Sequence, residues 1–171
     1  MRKSIHFLFI IWCNIGFTLL AQTNESAINP ASTSANWFQN RDLKLLDKSK
    51  NLQYYQITKG QNWVFQYTYK AADIAEIADD EFSESIFIEI PQNKDKHFSK
   101  KLGFKKQKAI YLKSCYCPDA GPVQIKKGSI KAQKINDKTW HVIIKIKIPD
   151  FDTKERAKFK KIETDFTLLE P

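Results

Sequence analysis

The chain has 171 residues, five glycines, three cysteines and a formal net charge of +9. This length suits one domain with a sizeable core rather than several domains. The basic charge raises the question of nucleic-acid binding. We exclude nucleic acid as a partner because lysine dominates the basic residues and no helix-turn-helix, zinc-finger or RNP pattern occurs.

Residues 1–21 have the three parts of a cleavable secretory signal peptide. Arg2 and Lys3 precede an uncharged, largely apolar run over residues 5–20, and Ala21 supplies a small residue at the junction. The run is shorter than the about 20 apolar residues that a transmembrane helix needs. A retained short anchor is the alternative, but cleavage fits the length better. We therefore expect an exported protein, periplasmic or extracellular, with no membrane span after cleavage.

Removal of a signal peptide would change the cysteine content and the net charge of the mature chain. Cleavage removes Cys13 and leaves one cysteine pair, in a compartment where oxidation is the default. It also removes Arg2 and Lys3, which lowers the formal charge from +9 to +7. The abundance of lysine, isoleucine and asparagine is typical of a bacterium with an AT-rich genome, so we expect a bacterial source.

Residues 22–36 are small and polar and contain too little apolar surface to offset the entropy of ordering. They are interpreted as a flexible leader. Trp37 and Phe38 begin the ordered part, and residues 37–171 are predicted to form a single β-rich domain.

Strict alternation of apolar and polar side chains predicts four strands with one buried face. Weaker strand patterns lie between them, and the pairs Gly60-Gln61, Asn136-Asp137 and Pro149-Asp150 supply turn residues. Asn136-Asp137 separates two alternating runs and so predicts a hairpin. The four strong segments are residues 63–70, 82–90, 140–148 and 160–169, and the weaker ones are 52–58, 108–117 and 124–135.

Helical patterns are confined to residues 71–80 and 153–160. About seven or eight strands with one or two short helices predict a mainly β fold. The two architectures that suit such a chain are an antiparallel β-sandwich and a small barrel.

The charged residues are arranged in blocks. Seven carboxylates and no basic residue lie in residues 71–93, eight lysines and one aspartate lie in residues 94–113, and residues 126–147 are again rich in lysine. Neighbouring blocks of opposite sign could face and compensate each other. The alternative is an interaction surface for an anionic envelope component or polysaccharide.

Cys115 and Cys117 stand two residues apart at the end of a predicted strand, so both side chains would share one face. Three interpretations compete: a local disulfide, a reduced or intermolecular pair, and a redox or soft-metal site, for instance for copper(I). The metal interpretation needs further ligands. His97 and His141 are weak candidates because they are the remaining histidines of the mature chain.

A second candidate site is aromatic. Trp63, Phe65, Tyr67 and Tyr69 occupy one face of a predicted strand. They could form part of the core, or they could line a pocket for a small apolar ligand or a sugar.

The sequence contains no Gly-x-Ser-x-Gly, His-Glu-x-x-His or phosphate-binding glycine loop. Glu84 interrupts the apolar face of its strand, so burial of its carboxylate is one interpretation, and a strand-end glutamate that reaches solvent is the simpler one. We expect a non-enzymatic binding module without a cofactor, whose partner is an envelope component, a protein or a small ligand. A thiol-redox or metal-handling protein centred on Cys115 and Cys117 is the alternative, and an enzyme acting on an envelope polymer is a third.

Overall fold

The computed structural model describes residues 28–46, 54–74, 77, 81–93, 95–102, 108–118, 120–148 and 158–170. These residues form eleven strands joined by turns and irregular segments. The strands are β1 (Ile28–Asn29), β2 (Ser32–Leu46), β3 (Tyr54–Lys70), β4 (Asp73–Ile74), β5 (Ser83–Pro91), β6 (His97–Leu102), β7 (Ala109–Ser114), β8 (Gly121–Gln124), β9 (Gly128–Lys134), β10 (Thr139–Ile148) and β11 (Lys158–Leu168).

Nine strands form one mixed sheet in the order β6-β9-β10-β11-β2-β3-β5-β7-β8, and β1 pairs with β4 in a small second sheet. The contact between β11 and β2 is parallel and involves only two residue pairs, Thr167–Asn36 and Leu168–Trp37. We use this narrow contact to divide the sheet into two arms. The first arm is β6, β9, β10 and β11, and the second is β2, β3, β5, β7 and β8.

The main core lies between the two arms. Trp63 of β3 contacts Trp140 of β10 with ring centroids 5.3 Å apart, and Phe65 of β3 contacts Phe98 of β6 at 6.0 Å. Strands β3 and β6 are far apart in the sheet order, so these contacts require the sheet to curl over on itself. Alternate residues of each strand point into this interior, as the pattern Trp140, Val142, Ile144 predicts.

The half of the β2–β3 hairpin that lies beyond the register shift, residues 41–46 and 54–59, folds back across the outer face of the second arm. Tyr55 and Gln66 are eleven residues apart in β3, about 36 Å in a straight strand. Phe87 pairs with Gln66, yet the ring of Tyr55 lies only 4.3 Å from the ring of Phe87. Leu43 is thereby buried in a second apolar cluster with Val64, Phe87 and Ile110.

Two residues allow the hairpin to bend. Asn40 has a φ of 57° at the point where the β2–β3 register shifts. Gly60 stands nearby, and a Cβ there would overlap the Asp42 carboxylate. That carboxylate accepts hydrogen bonds from the Gln61 N–H (3.1 Å) and the Asn62 side-chain amide (2.9 Å). Glycine at position 60 is therefore what leaves room for the bend.

Beside the folded hairpin, the side chains of Glu89 and Lys108 form hydrogen bonds with the backbone of Leu43. Glu89 is 4% exposed and accepts a hydrogen bond from the Leu43 N–H at 2.5 Å. Lys108 Nζ donates to the Leu43 carbonyl at 2.9 Å and lies 3.3 Å from the Glu89 carboxylate. Both backbone groups of Leu43 are thus satisfied by side chains rather than by a further strand.

The prediction of a mainly β protein is confirmed, but the sheet does not close into a barrel. Among the described residues, the outermost strands β6 and β8 each pair with one neighbour only. A sandwich of seven or eight strands is not confirmed either, because nine of the eleven described strands belong to one mixed sheet.

The helix predictions do not hold where the structure describes the chain. Within residues 71–80, Asp73–Ile74 forms β4 and pairs with β1, while residues 75–76 and 78–80 lie outside the described part. Within 153–160, residues 158–160 begin β11 and the others are outside it. Strand pairing overrides a weak local helix preference. No helix able to cross a bilayer occurs among the residues described.

Other local predictions have mixed outcomes. The hairpin across Asn136-Asp137 is confirmed as β9 and β10. Gly60-Gln61 is not a turn between strands but lies inside β3, and residues 32–36 of the predicted leader belong to β2. They pair with β3 through Lys70 to Gln66, so backbone hydrogen bonds order a segment whose side chains are small and polar. The predicted signal peptide, residues 1–21, and the turn at Pro149-Asp150 lie outside the described residues.

Candidate functional site

The outer side of the first arm is a broad, lysine-rich surface, which we call the open face. It is formed by the outward residues of β6, β9, β10 and β11. Their inward neighbours, such as Ile130, Val142 and Ile162, are buried in the core. The period of two therefore sends Lys131, Ile143 and Glu163 to the opposite, outer side.

The strand register arranges the open face in rows across the sheet. One row consists of Lys101, Ser129, Lys145 and Lys161, in neighbouring strands. The next consists of Ser99, Lys131, Ile143 and Glu163. Adjacent strands are about 4.8 Å apart, and residues on one side of a strand repeat every 6.7 Å or so. Four strands thus present a regular array of ammonium groups.

Positive charge exceeds negative charge on the open face. Its outward residues include five lysines (Lys101, Lys131, Lys145, Lys147 and Lys161) and two carboxylates (Glu163 and Asp165). Lys161 Nζ lies 2.6 Å from Glu163, and its hydrogen bond and charge hold the pKa of Glu163 below its ordinary value. Lys101, Lys131 and Lys145 have no ionic partner among the described residues, so their charge is available to a ligand.

One end of the open face carries an exposed aromatic ring. Phe159 is 81% exposed, and Lys147 Nζ lies 5.7 Å from its ring centroid. A cation over an aromatic ring at this distance is attracted by the ring quadrupole. The arrangement leaves both side chains accessible beside the lysine rows.

The other end contains a groove of about 370 Å³ that both His97 and His141 line, together with Lys131, Gln133 and Ile143. His97 pairs with Gln133, and Gln133 pairs with His141, so the three share one row. His141 Nδ1 lies 2.8 Å from Asp165, and its Nε2 lies 3.7 Å from Glu163. The ring of His141 is thus held beside two carboxylates of β11.

Cys115 and Cys117 lie in the turn between β7 and β8, beyond the end of β7 at Ser114. Their Cα atoms are 5.3 Å apart and the pair is at disulfide distance. Both side chains are half-buried, whereas Tyr116 between them is 84% exposed. The two cysteines thus lie in a turn and not at the end of a strand as predicted, and Gly121 at the end of this turn adopts a φ of 126°.

The candidate metal ligands do not form one site. His97 and His141 belong to the open face, whereas Cys115 and Cys117 belong to the β7–β8 turn. Within the described ranges, no group of three or more histidine, cysteine, aspartate or glutamate side chains could hold a metal ion.

The aromatic candidates of β3 divide into two pairs. Trp63 and Phe65 are buried in the core between the arms. Tyr67 and Tyr69 are half-buried towards the end of the strand. Burial, followed by the nearby charge of Glu84, raises the pKa of Tyr67. Any pocket on this face would therefore involve Tyr67 and Tyr69 rather than the packed residues.

Glu84 lies at the rim of the interior and connects the arms. It accepts a hydrogen bond from the Tyr111 hydroxyl at 2.5 Å and forms an ion pair with Lys160 of β11. Burial alone would raise the pKa of Glu84, but the hydrogen bonds from Lys160 and Tyr111 and the charges of Lys160 and Lys113 hold it below its ordinary value. Glu84 is therefore a structural carboxylate with two defined partners.

Sequence reasoning missed the role of Glu89 and the continuity of the open face. Glu89 is placed by alternation on the polar side of its strand, and nothing local shows that a distant hairpin covers it. The outward direction of Lys145 and Lys147 follows from their strand pattern, but their alignment with Lys101 and Lys161 depends on pairing between distant strands.

No family model, curated protein or solved structure matches this chain.

Proposed function

We propose that the protein is an exported, non-enzymatic binding module that holds an anionic polymer of the cell envelope on its open face. The observation that carries the proposal is the row arrangement of five outward lysines, four of which have no ionic partner among the described residues. The strand register sets the backbone positions of these lysines, so only their side chains must rearrange to meet a negatively charged chain.

The spacing of the lysines suits a repeated anion. Rows about 4.8 Å apart across the strands, and positions about 6.7 Å apart along them, let several ammonium groups act on one extended polymer at once. Each exposed contact is weak. Several together give appreciable affinity with strong dependence on salt, because each is screened by mobile ions.

The open, charged character of this face also favours a polymer over a small ligand. Ile143 lies among Lys131, Lys145 and Glu163, and two shallow grooves meet beside it. Small-molecule sites are mostly enclosed and apolar, whereas this surface is open and charged. Export, which the first 21 residues predict, supports an envelope polysaccharide as the source of the charge.

The test compares binding of dextran sulfate with binding of neutral dextran by isothermal titration calorimetry. We expect the protein to bind the sulfated polymer alone, with an affinity that falls as salt rises. The triple variant Lys101→Gln, Lys131→Gln, Lys145→Gln should bind about tenfold or more weakly, because three exposed charges contribute roughly 0.5 kcal/mol or more each.

The matched control removes three exposed lysines of the second arm: Lys44→Gln, Lys59→Gln, Lys70→Gln. Both triple variants have the same net charge, so non-specific attraction would weaken equally in both. The proposal requires the control to retain most of the wild-type affinity. Equal losses in the two variants, or no binding by the wild type, would contradict it.

The cysteine pair supports a second candidate function, thiol–disulfide exchange. Cys115 and Cys117 are at disulfide distance in a turn whose central Tyr116 is exposed. In such a reaction the two thiols would pass two electrons and two protons to a partner disulfide, which would leave as a dithiol. Titration of thiols in glutathione buffers should find a reversible two-electron couple that Cys115→Ser abolishes. A pair that stays oxidised until the protein unfolds would mark a structural bridge instead.

A further inference from the structure

Both histidines of the described chain lie on the open face and line one groove. His97 of β6 and His141 of β10 flank Gln133 of β9 in a single row. Histidine is the side chain whose charge ordinarily changes between pH 5 and 8. The remaining histidine of the sequence, His6, belongs to the predicted signal peptide. The pH-sensitive imidazoles of the mature chain are therefore concentrated beside the lysine rows.

The charged groups around the histidines come from β9 and β11. Lys131 of β9 lines the same groove. Asp165 and Glu163 of β11 lie 2.8 Å and 3.7 Å from the two ring nitrogens of His141. These two carboxylates are the negative groups of the open face, and they would repel an anionic ligand at that end.

We propose that the groove between His97 and His141 is an anion-binding site that protonation of the two histidines activates. The inference rests on the proposed function, because it adds pH control to the same face. Its ligand is a sulfate, phosphate or carboxylate group of the bound polymer. When both rings are neutral, five lysines act against two carboxylates.

Protonation acts in two ways. A charged His141 adds one positive charge between Asp165 and Glu163, and together with Lys161, which lies 2.6 Å from Glu163, it balances the two carboxylates. A charged His97, which is exposed, adds an N–H donor with a positive charge at the opposite wall of the groove. Positive charge then extends beyond Lys131 to His97 and His141, at the end of the open face.

The test measures the affinity for dextran sulfate at pH 7.5 and at pH 5.5 and at constant ionic strength. Sulfate groups keep their charge across this range, so a change must come from the protein. We expect about tenfold tighter binding at pH 5.5, since two added exposed charges contribute a few-fold each. The variant His97→Asn, His141→Asn should bind equally at both pH values.

A second variant keeps the histidines and changes their partner. Asp165→Asn removes one repulsive charge, so it should bind more tightly than the wild type at pH 7.5. Equal wild-type affinity at both pH values overturns this inference and leaves the proposed function standing. A tenfold gain that survives in the double histidine variant overturns it as well. Absence of binding at both pH values overturns the proposed function itself.

Discussion

The two outer faces of the same curled sheet differ, because one is covered and the other is exposed. The outer face of the second arm is apolar, and the folded hairpin covers it, with Leu43 buried against Phe87 and Ile110. The outer face of the first arm carries lysines and remains open. The interior of the curled sheet thus contains the main core, one outer side carries the second apolar cluster, and the other outer side carries lysines.

This difference shows that the alternation of side chains does not by itself determine whether the outward side of a strand is covered or exposed to solvent. Where outward positions are Val64, Phe87 and Ile110, exposure would cost free energy, and the chain covers them with a bent hairpin. Where they are lysines, covering would require burial of unpaired charge, which is far more costly. The open face therefore stays exposed to solvent, while the covered face contributes stability.

The largest contrast is expected from truncating an apolar side chain on each face. Leu43→Ala should lower the free energy of unfolding by about 3 kcal/mol, since it leaves a cavity in a closed cluster. Ile143→Ala on the open face, where the side chain is half-buried, should cost about 1 kcal/mol or less. Urea denaturation of both variants measures the difference, and similar losses would mean that the hairpin does not cover the second arm.

A smaller contrast is expected between the carboxylates of the two faces. Glu89→Ala should destabilise by about 2 kcal/mol, because it leaves the buried Leu43 N–H without an acceptor. Glu89→Gln retains an acceptor oxygen and should lose less. The exposed Glu163→Ala is the matched control, with a melting temperature close to wild type. An unchanged melting temperature in Glu89→Ala would refute the role assigned to the Glu89–Lys108 pair.

The smallest effect concerns the link between the arms. The folded pKa of Glu84 is lowered from its ordinary value of 4.5, so its stabilising contribution is present above that pH and is lost as the pH falls through the folded pKa. Glu84→Gln should destabilise by about 1 kcal/mol at pH 7, and the difference from wild type should shrink as the pH falls below 4.5 and through the folded pKa. Thermal unfolding across this range checks the trend.

The control for that titration is Glu81→Gln, which removes an exposed carboxylate without an ionic partner among the described residues. It should show no comparable pH-dependent difference. A Glu84→Gln difference that stays constant from pH 7 to pH 3 would indicate lost packing rather than a lost charge.

The local sequence pattern predicted the features of the fold that depend on the alternation of apolar and polar side chains. Strands β5, β10 and β11 and the β9–β10 hairpin follow from alternation and turn residues. The folding of β3 back over β5 does not, because Gly60-Gln61 has the composition of an ordinary turn. Its actual role, a bend within a strand, depends on Asp42 and on the contact with a distant cluster.

The candidate sites were predictable to a similar degree. The outward direction of Lys145 and Lys147 is a property of one strand, whereas the rows that join them to Lys101 and Lys161 require the order of four strands. His97 and His141 are 44 residues apart in sequence, and only the pairing of both with β9 places them in one groove. Non-local register is the information that the sequence pattern lacks.

We propose that the open face, rather than another surface, binds the anionic polymer. Amide chemical-shift mapping by NMR during titration with a short dextran sulfate locates the binding surface. We expect shifts concentrated on outward residues of β6, β9, β10 and β11, including Lys131, Ile143 and Lys145, with none at Leu43 or Tyr55. Shifts centred on the second arm, or spread evenly over all exposed lysines, would contradict it.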